Sequence, residues 1–223
     1  EPCVIALTNT GYIKRVPTDT YREQRRGGKG VIGMNTKEED YVEHVFSAST
    51  HDYLLCFTEE GRMYWLKAYR VPEGSRQARG RSLANVLQMS QEEKLAAIIC
   101  VRELDDDKHN LLMATKNGVV KKTVLSAYKN VRVAGINAIK IDENDQLIGV
   151  VLTNGENDVM LSTKKGKAIR FHEKGARTMG RVSRGVRGIR LAEDDIVVSI
   201  DIVDGDATMM AITENGFGKR TSF

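Results

Sequence analysis

Aromatic residues are scarce in this 223-residue chain, at 6%, and cysteine and proline number only three each. Long apolar runs are missing. None approaches the roughly 20 residues of a membrane span, and no signal-peptide pattern opens the chain, so no membrane partner is expected. Cys3, Cys56 and Cys100 are odd in number, widely spaced and set in apolar runs. They read as buried thiols of a reducing cytoplasm, not as a disulfide framework or a metal site. His44, His51, His109 and His172 are scattered without metal-ligand spacing. Helical period is nearly absent; Gln91 to Lys94 is too short to count. The opening Glu1-Pro2-Cys3 lacks an initiator methionine, which suggests a processed or excised chain.

What the chain does have is repetition. A threonine followed three residues later by glycine recurs at Thr8, Thr58, Thr115, Thr163 and Thr213, in steps of 50, 57, 48 and 50. An apolar run precedes each threonine, such as Val4 to Leu7, Tyr53 to Phe57 or Leu111 to Ala114. A run alternating apolar and basic residues follows, such as Tyr12-Ile13-Lys14-Arg15. This is a β-hairpin whose turn ends in a residue that takes positive φ cheaply. A second glycine (Gly28, Gly80, Gly135, Gly185) trails the threonine by 20 to 22 residues, followed by another apolar stretch such as Leu83 to Leu87. Each unit then closes on a β-rich run: Val42 to Ala48, Leu95 to Val101, Leu147 to Leu152 or Ile196 to Ile202. About four strands per unit is a propeller blade. The fold class is all-β: a propeller-like wheel of four-stranded blades, one domain over 1–223. Its blades are approximately 3–49, 53–101, 110–152 and 157–203, with a partial one at 207–223. The fifth unit stops at Phe223, so a longer parent wheel is expected, since a ring buries its faces only when its blades are all present.

Net charge is only +4, but the charge is segregated. Lys14–Lys29, Arg62–Arg81, Lys116–Arg132 and Lys164–Arg190 together hold 27 basic and 4 acidic residues, leaving 7 and 26 elsewhere. Basic arms at one phase of a repeat form a positive belt along one rim, which suits a long polyanion; duplex DNA is the expected partner. Single-stranded nucleic acid fits worse, because the few aromatics do not interleave with the arms as stacking platforms. No recognition helix or zinc-finger spacing appears, so binding without sequence specificity, through phosphates and bending, is expected. Bending a duplex by 40–90° over 20–30 bp costs on the order of 1–6 kcal/mol, which many weak contacts spread over several blades can supply.

The densest arm is Gln24-Arg25-Arg26-Gly27-Gly28-Lys29-Gly30, a glycine-rich loop bearing three cations. It is not a Walker loop, because its Gly-Lys lacks the following Ser or Thr and the spacing. This heptapeptide resembles the signature box of the C-terminal domain of the bacterial DNA gyrase A subunit. The likeness extends through Ala78-Arg79-Gly80-Arg81, Asn117 to Thr123, Gly185 to Leu191 and Asn215 to Thr221. The resemblance implies a six-bladed β-pinwheel whose blades exchange strands, about four and a half of which are visible here. It implies DNA wrapped on the rim, with the box needed for wrapping, and negative supercoiling by an ATP-using holoenzyme. It implies as partners the rest of the A subunit and the B subunit. No cofactor is expected in this domain, ATP and Mg being used elsewhere. The family's DNA-cleaving tyrosine lies in an upstream domain that the chain does not contain, so no catalytic residue is assigned.

The DNA-contact candidates are therefore Gln24, Arg25, Arg26, Gly27, Gly28, Lys29 and Gly30, with Lys14 and Arg15. In the later repeats they are Arg76, Arg79 and Arg81; Lys121 and Lys122; and Arg181, Arg184 and Arg187. About a third of the arm cations are expected to pair with carboxylates of neighbouring blades instead. Asp105-Asp106-Asp107 and Glu193-Asp194-Asp195 read as exposed loops without magnesium-site neighbours. Three rivals remain. The matching domain of topoisomerase IV is disfavoured by the intact box, and a propeller enzyme by the apolar strands. A protein-scaffolding propeller would separate from a DNA binder by salt dependence. The fragment is expected to be monomeric.

Overall fold

The structure, a computed structural model, describes residues 1–20, 32–36 and 40–222. Every box residue, Gln24 to Gly30, lies outside the described residues. Among those described, the chain folds into strands β1 (Pro2–Thr8), β2 (Tyr12–Pro17), β3 (Val42–Ser49), β4 (Tyr53–Thr58), β5 (Arg62–Lys67), β6 (Arg81–Ser82), β7 (Leu95–Val101), β8 (Asn110–Thr115) and β9 (Val119–Val124). They continue as β10 (Ile136–Asn137), β11 (Leu147–Thr153), β12 (Asp158–Thr163), β13 (Ala168–His172), β14 (Val186–Arg187), β15 (Val197–Val203), β16 (Thr208–Ile212) and β17 (Gly218–Ser222). No helix of the described residues is long and apolar enough to cross a membrane.

The recurring Thr-x-x-Gly has a single local cause. Each glycine donates its N–H to the threonine carbonyl at 2.9–3.0 Å, and the glycines at 11, 61, 118, 166 and 216 all hold φ between 79° and 86°. In this region a Cβ is costly, so glycine is required. The buried hydroxyls of Thr8, Thr58, Thr115 and Thr163 accept the N–H four residues on, at 3.1–3.2 Å. The side chain thus caps a donor that the turn would otherwise leave unpaired.

Two compact units result, one of 1–104 with 129–138, the other of 105–128 with 139–223. The first unit holds two four-stranded sheets, ordered β3-β1-β2-β6 and β10-β5-β4-β7. Its core joins alternate residues of β1 (Cys3, Ile5, Leu7) to Leu54 and Cys56 of β4, with Ile13, Tyr64, Leu66, Leu83 and Leu87. The run Leu83 to Leu87, an apolar stretch counted from sequence within a unit of about four strands, is instead a single helical turn, α1 (Leu83–Val86). Its Leu83 and Leu87 share one buried face at a spacing of four. The second unit holds a four-stranded sheet, β11-β8-β9-β14, a three-stranded one, β13-β12-β15, and the hairpin β16-β17. Leu112, Ala114, Val120, Val159, Leu161, Ala176, Val197 and Ile200 form its core.

The short fourth strand of each complete sheet comes from the following repeat. β6 pairs Arg81 with Ile13 of β2, β10 pairs Ile136 with Met63 of β5, and β14 pairs Val186 with Val120 of β9. A repeat in sequence therefore supplies three strands of its own sheet and the outer edge of the preceding one.

Candidate nucleic-acid interface

In the first three repeats the second hairpin strand carries at its middle two positions, six and seven residues past the threonine, that lie where the arm of the next repeat arrives. They are Lys14 and Arg15 in the first repeat and Lys121 and Lys122 in the third. All four were expected at the DNA, and here the structure corrects the sequence. Lys14 and Lys121 are 0% exposed and Lys122 is 6% exposed. The Lys14 ammonium donates to the carbonyl oxygens of Gly33 (2.7 Å), Ser75 (3.2 Å) and Arg76, so its three protons meet three acceptors. Lys121 Nζ donates to the carbonyl of Arg181. Burial, with the nearby Arg76 charge, holds the Lys14 pKa below the ordinary lysine value. Burial, with the charge of Arg181, pulls Lys121 down to about 7.

Lys122 Nζ donates to the Glu173 carbonyl at 2.9 Å and lies 3.8 Å from its carboxylate. That carboxylate is fully buried and accepts from the N–H groups of Gly155 (2.8 Å) and Asn157 (3.0 Å) and the hydroxyl of Thr153 (2.7 Å). Arg15, 13% exposed, pairs with Glu73 at 2.8 Å. A buried cation is tolerable only when its partners are internal, and donors committed to those partners do not face a phosphate. Three of the expected contacts, Lys14, Lys121 and Lys122, are thus part of the scaffold, while Arg15 is half-buried against the exposed Glu73.

The arm arginines lie differently. Arg76 and Arg79 stand four and one residues before Gly80; Arg181 and Arg184 stand at the same distances before Gly185. Arg79, Arg81, Arg184 and Arg187 are exposed, and Arg76 and Arg181 half-buried. Arg81 and Arg187 sit on β6 and β14, each the terminal strand of its sheet. The Arg79 guanidinium lies 5.8 Å from the centroid of the Tyr12 ring, and Arg184 pairs with Asp142 while keeping 64% exposure. Gly80 and Gly185 adopt φ of 85° and 109°, and a Cβ there would come within 2.3 Å of the Ile13 carbonyl oxygen and 2.5 Å of that of Val120. Close approach to the preceding hairpin is what brings the arm to the sheet edge.

The second repeat departs from this scheme. Tyr64 and Trp65 replace the cation pair, and Tyr64 donates its hydroxyl proton to Glu93 at 2.9 Å. The arm it receives packs glycine against aromatic ring, since a Cβ on Gly135 would lie 2.7 Å from the Tyr64 ring. Arg62 donates to the Ala134 carbonyl and lies 3.7 Å from Glu93.

This blade pattern is matched by a family model described as DNA gyrase C-terminal domain, beta-propeller, over residues 4–49, 52–102, 109–154, 157–204 and 207–223. The chain belongs to that family. It is 47% identical over 222 residues to the DNA gyrase A subunits of Salmonella typhimurium and Escherichia coli, and 45% over 224 residues to that of Mycolicibacterium smegmatis. The matches cover the whole of this chain but 25–26% of those relatives, so the chain spans about a quarter of their length. A solved gyrase A C-terminal domain superposes with a TM-score of 0.81 at 27% identity, covering 99% of this chain and 71% of that one. A C-terminal domain of DNA topoisomerase IV gives 0.79 at 28%, covering 100% and 68%. The fold does not separate the two paralogues; the gyrase family model and the gyrase A relatives place this domain with gyrase.

Sequence reading missed a second repeat marker in this chain. Asp40, Asp145 and Asp195 each accept from the N–H two residues past a repeat threonine (Thr10, Asn117, Lys165) at 3.3, 2.9 and 3.0 Å. Burial pushes Asp195 upward, but bonds from the Lys165 N–H, the Thr163 hydroxyl and the Ile196 N–H outweigh it and leave the carboxyl below its usual range. The signal was present as a spacing, since these aspartates follow their threonines by 32, 30 and 32 residues.

Proposed function

We propose that the chain is the non-catalytic DNA-wrapping module of a DNA gyrase, gripping duplex DNA without sequence preference through the exposed arginines of its arms. The observation that carries this reading is the equivalent placement of Arg79 and Arg81 in one unit and Arg184 and Arg187 in the other. Each set flanks a left-handed glycine at the terminal strand of a sheet. Guanidinium groups in such repeats suit a phosphate backbone, where many modest contacts share the cost of bending. The box cations Arg25, Arg26 and Lys29 belong to the same proposal by their sequence. In the assembled enzyme, with the remainder of the A subunit and the B subunit, wrapping would give strand passage its direction, toward negative supercoils at the expense of ATP. This reading gives the domain no cofactor of its own and places the enzyme in the bacterial cytoplasm.

Two measurements test it. Duplex affinity should fall steeply with salt, by about 0.9 in log–log slope per phosphate neutralised, and ligation of relaxed plasmid around the protein should change linking number. A flat salt response with unchanged linking number defeats the proposal and favours a protein-binding propeller.

A further inference from the structure

Lys14 and Lys121 meet the next arm at the same point. Each buried amino head donates to the main-chain carbonyl of the arginine four residues before the arm glycine, Arg76 and Arg181 respectively. On either side of this point the arm is held by other bonds. Near its entry, Gly74 donates to the Arg15 carbonyl (3.1 Å) and Met179 to the Lys122 carbonyl (2.8 Å). At its exit, β6 and β14 join the sheets. Lys14 also ties in the segment that follows the box, through Gly33, beside which Asn35 donates to the Gln77 carbonyl at 3.1 Å. The repeats themselves supply a control. The two hairpins with this lysine receive arms with arginine at four and one residues before the glycine. The hairpin with Tyr64 receives an arm with Val131 and Ala134 there.

We propose that Lys14 and Lys121 are positioning residues for DNA contact: each clamps the middle of the incoming arm from beneath and fixes the outward course of that arm's arginines. This rests on the DNA-binding reading above. The lysine is suited to the task because its long stem crosses the sheet face to a compact, multiply donating head.

The test uses the intact protein with Lys14→Met and, separately, Lys121→Met, which keep the stem and remove the donors. Without DNA, amide exchange should accelerate about tenfold or more in 74–82 for the first variant and 179–187 for the second, the β1, β4, β8 and β12 amides keeping their protection. Affinity for a mixed-sequence duplex should drop several-fold, with a shallower salt slope. Unchanged arm exchange overturns the clamp. Faster arm exchange with undiminished duplex binding overturns its link to DNA. Arg79→Ala with Arg81→Ala distinguishes the underlying reading: intact DNA binding there sinks the arginine contacts, while arm exchange in the lysine variants still judges the clamp. A measurement on the unaltered protein guards against misfolded variants, because the Lys14 ammonium protons should exchange slowly with water, and rapid exchange refutes the cradle.

Discussion

Hairpin lysines and arm arginines both belong to the basic stretches of the sequence, these lysines to 14–29 and 116–132 and these arginines to 62–81 and 164–190, and they end in opposite environments. Lys14, Lys121 and Lys122 lie within the sheets, satisfied by carbonyls and a carboxylate. Arg79, Arg81, Arg184 and Arg187 lie near left-handed glycines at sheet edges and face solvent. The difference teaches that a count of positive charge in the sequence overstates the surface charge open to a ligand. A cation in the middle of a strand whose two faces are covered has to be solvated by the protein, whereas one on a terminal strand is solvated by water or by a ligand.

The sharpest way to break the contrast is at the buried pair. Glu173→Ala strands the Lys122 ammonium without its carboxylate and should cost about 3–5 kcal/mol in denaturant unfolding; a loss below 1 kcal/mol would mean that the pair carries little. Next comes the glycine that seats the arm. Gly185→Ala imposes roughly 1–3 kcal/mol of backbone strain besides a clash with the Val120 carbonyl, and should weaken duplex binding along with stability.

The lysine itself yields a pH signature. The Lys121 pKa is about 7 in the fold and about 10.4 when unfolded, so between these values the unfolded chain binds the extra proton. Stability should then rise with pH across that window, by at most about 1.4 kcal/mol per pH unit from this group. Lys121→Met should flatten that rise, seen as denaturation midpoints against pH; a parallel rise in both proteins would contradict the burial. The smallest stability effect belongs to the exposed set. Arg79→Ala with Arg81→Ala should move unfolding by no more than about 0.5 kcal/mol while lowering the duplex salt slope by up to about 1.8, or 0.9 for each lost contact. A large stability loss would show these arginines to be scaffold as well.

Much of the fold was legible because its signals are local. Thr-x-x-Gly specifies the turn through one hydroxyl and one positive φ, and the apolar runs before it became β1, β4, β8, β12 and β16. Leu83 to Leu87 was misread because a short apolar run carries no period to separate strand from helix. The candidate interface was legible only in part. The equal offsets of Arg76/Arg79 from Gly80 and of Arg181/Arg184 from Gly185 stand in the sequence, yet nothing beside Lys14 or Lys121 marks them as interior.

The amino-acid sequence by itself determined the repeat, the turns, the strand-forming runs and the family, because each depends on residues within a few positions of one another or on their direct recurrence. Tertiary structure alone decided which repeat completes which sheet and which cations are buried. Those outcomes hang on contacts between residues far apart in the chain, as when the amino head of Lys14 finds the carbonyls of Ser75 and Arg76, 61 and 62 residues away, and no local pattern encodes where a side chain's partner will stand.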